Sequence, residues 1–465
     1  MWDRASTVPG TIPATMRAGV AAGHPATAEV GIEILAEGGS AADAVVAMGL
    51  ASCVAETVMS GLLAGCHAIV FDGSRIANVD GFAAVPSEVG DMLEVPVPFG
   101  EEIVVYSIGP PSCAVPGLPA ALGELWERLG RLPWERLVEP ALRLARSGVA
   151  LPAAQAACLR MLEPVMTMNR GAELYAPGDR LLAGGDTLRQ PGLVEALRIL
   201  AEEGAGSVYR GTIAEALLGV GGVTLTRDDL REYEARWSEP AEVDYLGLRV
   251  LTRGGLSSVP ETLRRIPRLL GLAPAERVLA LVDLLADDGP ESHTSNLVTV
   301  DSEGSACVLT TSLGLGSGDF LPGLDLHLNS MLGELDLVRE PLRPGERMQS
   351  MMAPSLAVDA DGLVLAAGSA GGTRLRTALV GVLAGILDEG LEPQAAVDRA
   401  RFHPARSVVN AEPGVDGEGL RELEARGWTV RRWDALHHYF GGVSAVGRAG
   451  VAADPRRGGA ALRAE

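Results

Sequence analysis

An α+β fold is what this sequence predicts, and three observations agree with it. Several segments place apolar residues at helical spacing, with capping residues before them and glycines after. Around residue 300, two short β-branched, apolar runs flank a turn cluster, the pattern of an antiparallel hairpin. No internal repeat, low-complexity tract or linker divides the 465 residues into independent domains.

In chain order, His24-Pro-Ala-Thr27 leads into a helix over 28–37, where Val30/Ile34 and Gly31/Leu35 recur at helical spacing; Thr27 is read as its N-cap and Gly38-Gly39 as its stop. Ser40 caps a second helix, 41–55, apolar on nearly every face and so expected to be buried. After the small-residue turn at 60–65, Cys66–Phe71 reads as a core strand. Helices are expected over 118–129, 134–147 and 151–162. Near the C-terminal side, 363–367 reads as a strand, Gly368-Ser-Ala-Gly-Gly372 as a tight turn, and 374–387 as a helix.

Composition bounds the partners. The chain is 47% hydrophobic and 4% aromatic, enough for a large core of Ala, Val and Leu. Its formal net charge is -21 and all its basic residues apart from His are Arg, which argues against nucleic acid or an anionic membrane as partner. The five cysteines are scattered without a CxxC pair and mostly sit in apolar runs, so free buried thiols are expected. No apolar run is long enough to span a bilayer and no leader pattern opens the chain, so a cytoplasmic location is expected.

The chemistry centres on Glu291-Ser-His-Thr-Ser-Asn-Leu-Val-Thr-Val-Asp301, followed by Ser-Glu-Gly304 and Ser305-Ala-Cys-Val-Leu-Thr-Thr-Ser312. Residues 297–300 and 307–311 form the hairpin strands, and Asp301-Ser-Glu-Gly304 forms the turn. Upstream, 286–292 is polar, carries Gly-Pro and reads as an exposed loop. Thr294 thus stands where a loop meets a buried strand. If the chain is cut before it, its hydroxyl becomes a nucleophile and its freed α-amine the base.

This segment resembles the start of the small subunit of γ-glutamyltransferases, in the N-terminal-nucleophile hydrolase superfamily, and the likeness extends over nearly the whole chain. The resemblance implies a four-layer αββα sandwich with two central antiparallel sheets. It also implies a precursor cleaved between His293 and Thr294 into two interlocked subunits, 1–293 and 294–465, forming one globular unit, with a homodimer of such heterodimers as an option. Aligned on Asp301, Thr294 falls on the family nucleophile. His293 either assists the acyl shift or is an exposed loop histidine. Gly371-Gly372 fall on the glycines whose N–H groups form the oxyanion hole, and Ser312 on a Thr that hydrogen-bonds the nucleophile.

The substrate-holding positions depart from the family. Phe82 takes the place of the Arg that binds the α-carboxylate of a γ-glutamyl group. The adjacent Ser pair becomes Ser350 and Met351, Met331 and Gly314 replace the Gln and Asn near the α-amine, and Glu334 stands in as the acidic partner. A ring cannot replace a bidentate guanidinium, so the pocket is expected to prefer an apolar or aromatic group. Arg374 either supplies a carboxylate partner or serves as a helix-start Arg.

The expected activity is a γ-glutamyltransferase-like hydrolase or transferase on a small-molecule substrate, with no cofactor and no metal. One alternative is a biosynthetic relative acting on a natural-product intermediate, including hydrolysis of a carbon–carbon bond in making alkylated proline units. A second is a scaffold that never matures.

Overall fold

The computed structural model describes residues 6–7, 16–99, 102–286, 294–334, 337–338 and 341–464. The hairpin is present and longer than expected. Ser295–Val300 pairs antiparallel with Ala306–Ser312, Ser295 opposite Thr311 and Val300 opposite Ala306. Its turn is made by Asp301, whose Oδ1 accepts the N–H groups of Glu303 and Ser305, while Gly304 takes φ +82°, which glycine adopts without strain. Asp301 Oδ2 also accepts the N–H of Ala41 at 3.1 Å, tying the turn to the first residue of a helix.

That helix, Ala41–Ala55, is buried along its whole length, as expected of a helix apolar on nearly every face. Ser40 caps it in a reciprocal box with Asp43. The preceding helix, Pro25–Ala36, starts earlier than expected. Pro25 has no N–H to lose at the first position and His24 Nδ1 accepts from Ala26 N at 3.0 Å, so His24 is the cap and Thr27 lies inside the helix.

Among the described residues the strands form five sheets, and the two largest, both antiparallel, frame the site. In the larger, the order is Ser6–Thr7, Arg75–Gly81, Gly65–Phe71, Ala306–Ser312, Ser295–Val300, Gly19–Ala22 and Ala460–Arg463, with Arg236–Ser238 also paired to Arg75–Gly81. In the smaller it is Ala241–Tyr245, Leu248–Thr252, Ser355–Asp359, Gly362–Ala370, Gly442–Gly447 and Val451–Ala452. Both sheets mix strands from before and after residue 294: Gly65–Phe71 pairs with Ala306–Ser312, Gly19–Ala22 with both Ser295–Val300 and Ala460–Arg463, and Leu248–Thr252 with Ser355–Asp359.

Side chains of the two sheets meet in one apolar cluster that includes Ile69, Val298, Val308, Leu356, Leu363 and Val446. Helices cover the other side of each sheet. Leu297 and Leu309 pack with Val46, Leu50 and Leu122, and Leu365 and Val443 pack with Leu379 and Leu383. Among the described residues no helix is long and apolar enough to cross a membrane.

One local difference bears on the site. The strand Gly362–Ala370 runs through Gly368, Ser369 and Ala370, which the sequence had suggested as a turn, because they pair with Ser444, Val443 and Gly442. The turn is confined to residues 371–373, and the helix Arg374–Leu387 follows at once.

Candidate active site

Thr294 directly precedes the strand Ser295–Val300 and is 3% exposed. Extending the hairpin register by one residue places Ser312 across from it. Ser312 is buried, and its hydroxyl oxygen accepts the N–H of Gly314 at 2.9 Å.

Two cavities meet at Thr294. The first is lined by Thr294, Ser312, Gly314, Gly372 and by Phe82, Met331, Glu334, Ser350 and Met351, together with Leu337, Met352 and Leu375. Residues distant in sequence, and expected to share a substrate pocket, therefore do face one space. Phe82, Met331, Leu332, Leu337 and Met352 belong to one buried apolar cluster, against which Met351 packs. Phe82 stacks on His67, with ring centroids 5.2 Å apart. Among the described residues that line the cavity none is basic. Glu334 Oε1 accepts from Leu315 N at 3.2 Å, and Ser350 Oγ from Met352 N at 3.2 Å.

The glycine pair is shaped by the abrupt passage from strand to helix. Gly371 has φ +128° and Gly372 +56°, both unfavourable to a residue with a Cβ. Their N–H groups have no acceptor among the described residues and lie at the start of a 14-residue helix. Free amides at that end of a helix attract negative charge.

Two expected residues are not on this wall or lie outside the described residues. Arg374 does not line the cavity. Its Nε donates to the Tyr439 carbonyl at 3.0 Å and its guanidinium lies 5.0 Å from the Tyr439 ring, so the first turn of the helix directs it into the body of the protein. His293 lies outside the described residues.

The second cavity went unrecognised in the sequence. Besides Thr294, its wall includes Glu56, Gln155, Asn296, Asp454 and Arg457. Glu56 follows the last turn of the apolar helix Ala41–Ala55, and its carboxylate takes hydrogen bonds from Thr27 Oγ1 at 2.9 Å and from the Ser295 hydroxyl. Burial raises its pKa above the usual carboxylate range, opposed by the hydroxyl of Ser295, the charge of His24 and the hydroxyl of Thr27. A Cβ on Gly23 would displace the Glu56 carboxylate, which lies against that glycine. The one cue in the sequence was an acid ending a helix with no polar face.

Among the described residues no group of three or more His, Cys, Asp or Glu is placed to hold a metal ion.

The family model for γ-glutamyltranspeptidase matches residues 27–270 and 272–464. The chain belongs to that family. Curated members resembling this γ-glutamyltranspeptidase-family chain include glutathione hydrolase 3 of Arabidopsis thaliana, 26% identical over 83% of this chain and 72% of its own length. The glutathione hydrolase proenzyme of Bacillus subtilis is 23% identical over 88% and 84%, and the acylase ACY 1 proenzyme of Pseudomonas sp. strain V22 is 24% identical over 93% and 90%. Among solved structures, the cephalosporin acylase of Bacillus halodurans superposes with a TM-score of 0.82 at 24% identity, covering 98% of this chain and 97% of that one. The chain is thus a divergent member of a family of N-terminal-nucleophile hydrolases and transferases.

Proposed function

We propose that this protein is an N-terminal-threonine acyl hydrolase or transferase that cleaves amides of an apolar or aromatic acyl group rather than of glutamate. The observation that carries this reading is Thr294 on the wall of a cavity built from Phe82, Met331, Met351 and Met352 and lacking any basic described residue. A free amino-acid head group needs a charge-assisted partner for its carboxylate, and an aromatic ring offers none.

In this reading the precursor is cut between His293 and Thr294, giving subunits 1–293 and 294–465 in a four-layer αββα sandwich. The new α-amine, with a pKa of about 7.7–8 in the absence of perturbation, accepts the proton of the Thr294 hydroxyl. The Thr294 Oγ1–carbon bond forms, the free N–H groups of Gly371 and Gly372 hold the oxyanion, and the carbon–nitrogen bond breaks as the amine leaves with that proton. Water or a second amine then takes the acyl group. Ser312, across the hairpin, orients the hydroxyl.

The apolar wall also favours the second reading, hydrolysis of a carbon–carbon bond in a non-glutamyl biosynthetic intermediate, by the same nucleophile. The test begins with the mass of the purified chain, which is expected to appear as two fragments separated before Thr294. Phenylacetyl and γ-glutamyl p-nitroanilides are then compared. Turnover of the phenylacetyl compound at least about 100-fold better by kcat/KM, abolished by Thr294→Ala, is expected from the apolar contacts and the missing clamp. A preference for the γ-glutamyl compound would overturn the reading.

A further inference from the structure

The polar cavity holds a charge that the proposed acylation does not use. Arg457 is 7% exposed. Its Nη1 reaches only the Met59 sulfur at 3.4 Å, and its Nε has no hydrogen-bond partner. The acids near it are already engaged. Asp454 Oδ2 accepts from Arg401 Nη2 at 2.6 Å and Val443 N at 2.9 Å, and Oδ1 from Arg456 N and Nη1 at 3.1 and 3.2 Å. Glu56 is taken up by Thr27 and Ser295. Arg457 therefore forms no ion pair among the described residues, although burying an unpaired guanidinium is costly.

Two further buried polar atoms in the same wall lack partners: Asn296 Nδ2 and Gln155 Oε1. The opposite side of Asn296 is pinned, because Thr310 Oγ1 donates to its Oδ1 at 2.7 Å. This leaves an amide donor and a guanidinium donor in one cavity that reaches Thr294. Buried donors of this kind are normally satisfied, and their natural acceptor is a carboxylate.

We propose that the polar cavity is a carboxylate subsite, anchored by Arg457 and Asn296, that seats the amine portion of the substrate while the acyl portion lies in the apolar cavity. The proposal deepens, and rests on, the reading of Thr294 as nucleophile. It defines the substrate class as an apolar or aromatic acyl group in amide linkage to an amine that carries a carboxylate. Because transfer to an amine is the reverse of release of one, the acceptor amine occupies the same subsite.

The test uses an uncleavable probe pair, 4-oxo-5-phenylpentanoic acid and its primary amide, in which methylene replaces the scissile N–H of phenylacetylglycine. Calorimetry on the mature wild-type protein is expected to show the acid binding about 10- to 100-fold tighter than the amide, the scale of a charge-assisted fork. In Arg457→Met the preference should fall to within about twofold, and Arg457→Lys should restore part of it as a point charge without the fork. Equal binding of acid and amide by the wild type, which needs no variant, overturns the proposal. So does a preference that survives in folded Arg457→Met protein. Turnover of phenylacetylglycine, measured alongside, separates the two readings. Acid preference without turnover supports the subsite and removes Thr294 chemistry, whereas turnover without acid preference removes only the subsite.

Discussion

Ser295, the neighbour of Thr294, gives its hydroxyl to the buried carboxylate of Glu56, which also holds Thr27. One acid thus joins the strand that begins at the candidate nucleophile to the first helix of the chain. Glu56→Ala should leave two buried hydroxyls without an acceptor and lower stability by about 1–3 kcal/mol for each, whereas Glu56→Gln, which can still pair with both, should cost less. Urea unfolding measures the difference. Because burial raises the Glu56 pKa, the native state keeps this proton at a pH where the unfolded chain has lost it. Its contribution is therefore complete below the ordinary value of 4.5 and is lost as pH rises through the folded value. The Gln variant should show a shallower decline of stability with rising pH.

Buried histidines contribute to the acid limb, His327 and His403 among them. His327 stacks on Phe320 and accepts the Gly318 N–H at 3.0 Å, and His403 shares a hydrogen bond with Thr377 Oγ1. Burial lowers both from 6.5 to about 3, with the Arg374 and Arg376 charges adding to it at His403. The unfolded chain binds these protons first as pH falls, so stability present above about 6.5 drains away toward about 3, by up to about 1.4 kcal/mol per pH unit for each histidine. Equilibrium unfolding between those limits should show the decline, and His403→Gln should make its slope shallower by up to about 1.4 kcal/mol per pH unit.

Gly368 and Gly381 should respond in opposite directions to the same change. A Cβ on Gly368 would lie 2.1 Å from Asn296 Oδ1, so Gly368→Ala should cost about 1–3 kcal/mol and reduce kcat/KM by displacing a strand two residues from Thr294. Gly381 lies inside the helix Arg374–Leu387 with nothing within 4 Å of its would-be Cβ, and Gly381→Ala should stabilise by about 0.5–1 kcal/mol. Chemical denaturation of the two variants checks both signs.

Asp454 anchors the C-terminal segment through Arg401, Arg456 and the Val443 amide. Removing its carboxylate leaves buried guanidinium groups with one counter-charge fewer. Asp454→Ala should therefore destabilise by about 3–5 kcal/mol, read from the denaturant midpoint at constant m-value.

The sequence was legible where local chemistry and periodicity agreed. Ser40 before an apolar run and Asp301-Ser-Glu-Gly304 between β-branched runs each admit one structure, and each formed. The start of the first helix was misplaced because His24 and Pro25 outcompete Thr27, three residues past the true cap. Gly368 read as a turn because nothing local discloses its partner, Ser444. The apolar cavity was approached through aligned positions, since Phe82, Met331 and Met351 carry no shared local signal. The polar cavity stayed hidden for a related reason. Glu56, Gln155 and Arg457 come from three remote segments, and only folding reveals that one carboxylate is engaged while one guanidinium is left over.

The presence of strands from either side of residue 294 within both sheets has a mechanical consequence. A scission there would release a chain end without releasing a fragment, since parting the two polypeptides means tearing main-chain ladders in both sheets at once. Such a nick costs the folded body little of its cohesion, while the two pieces, once unravelled, would have to find each other again to rebuild either sheet.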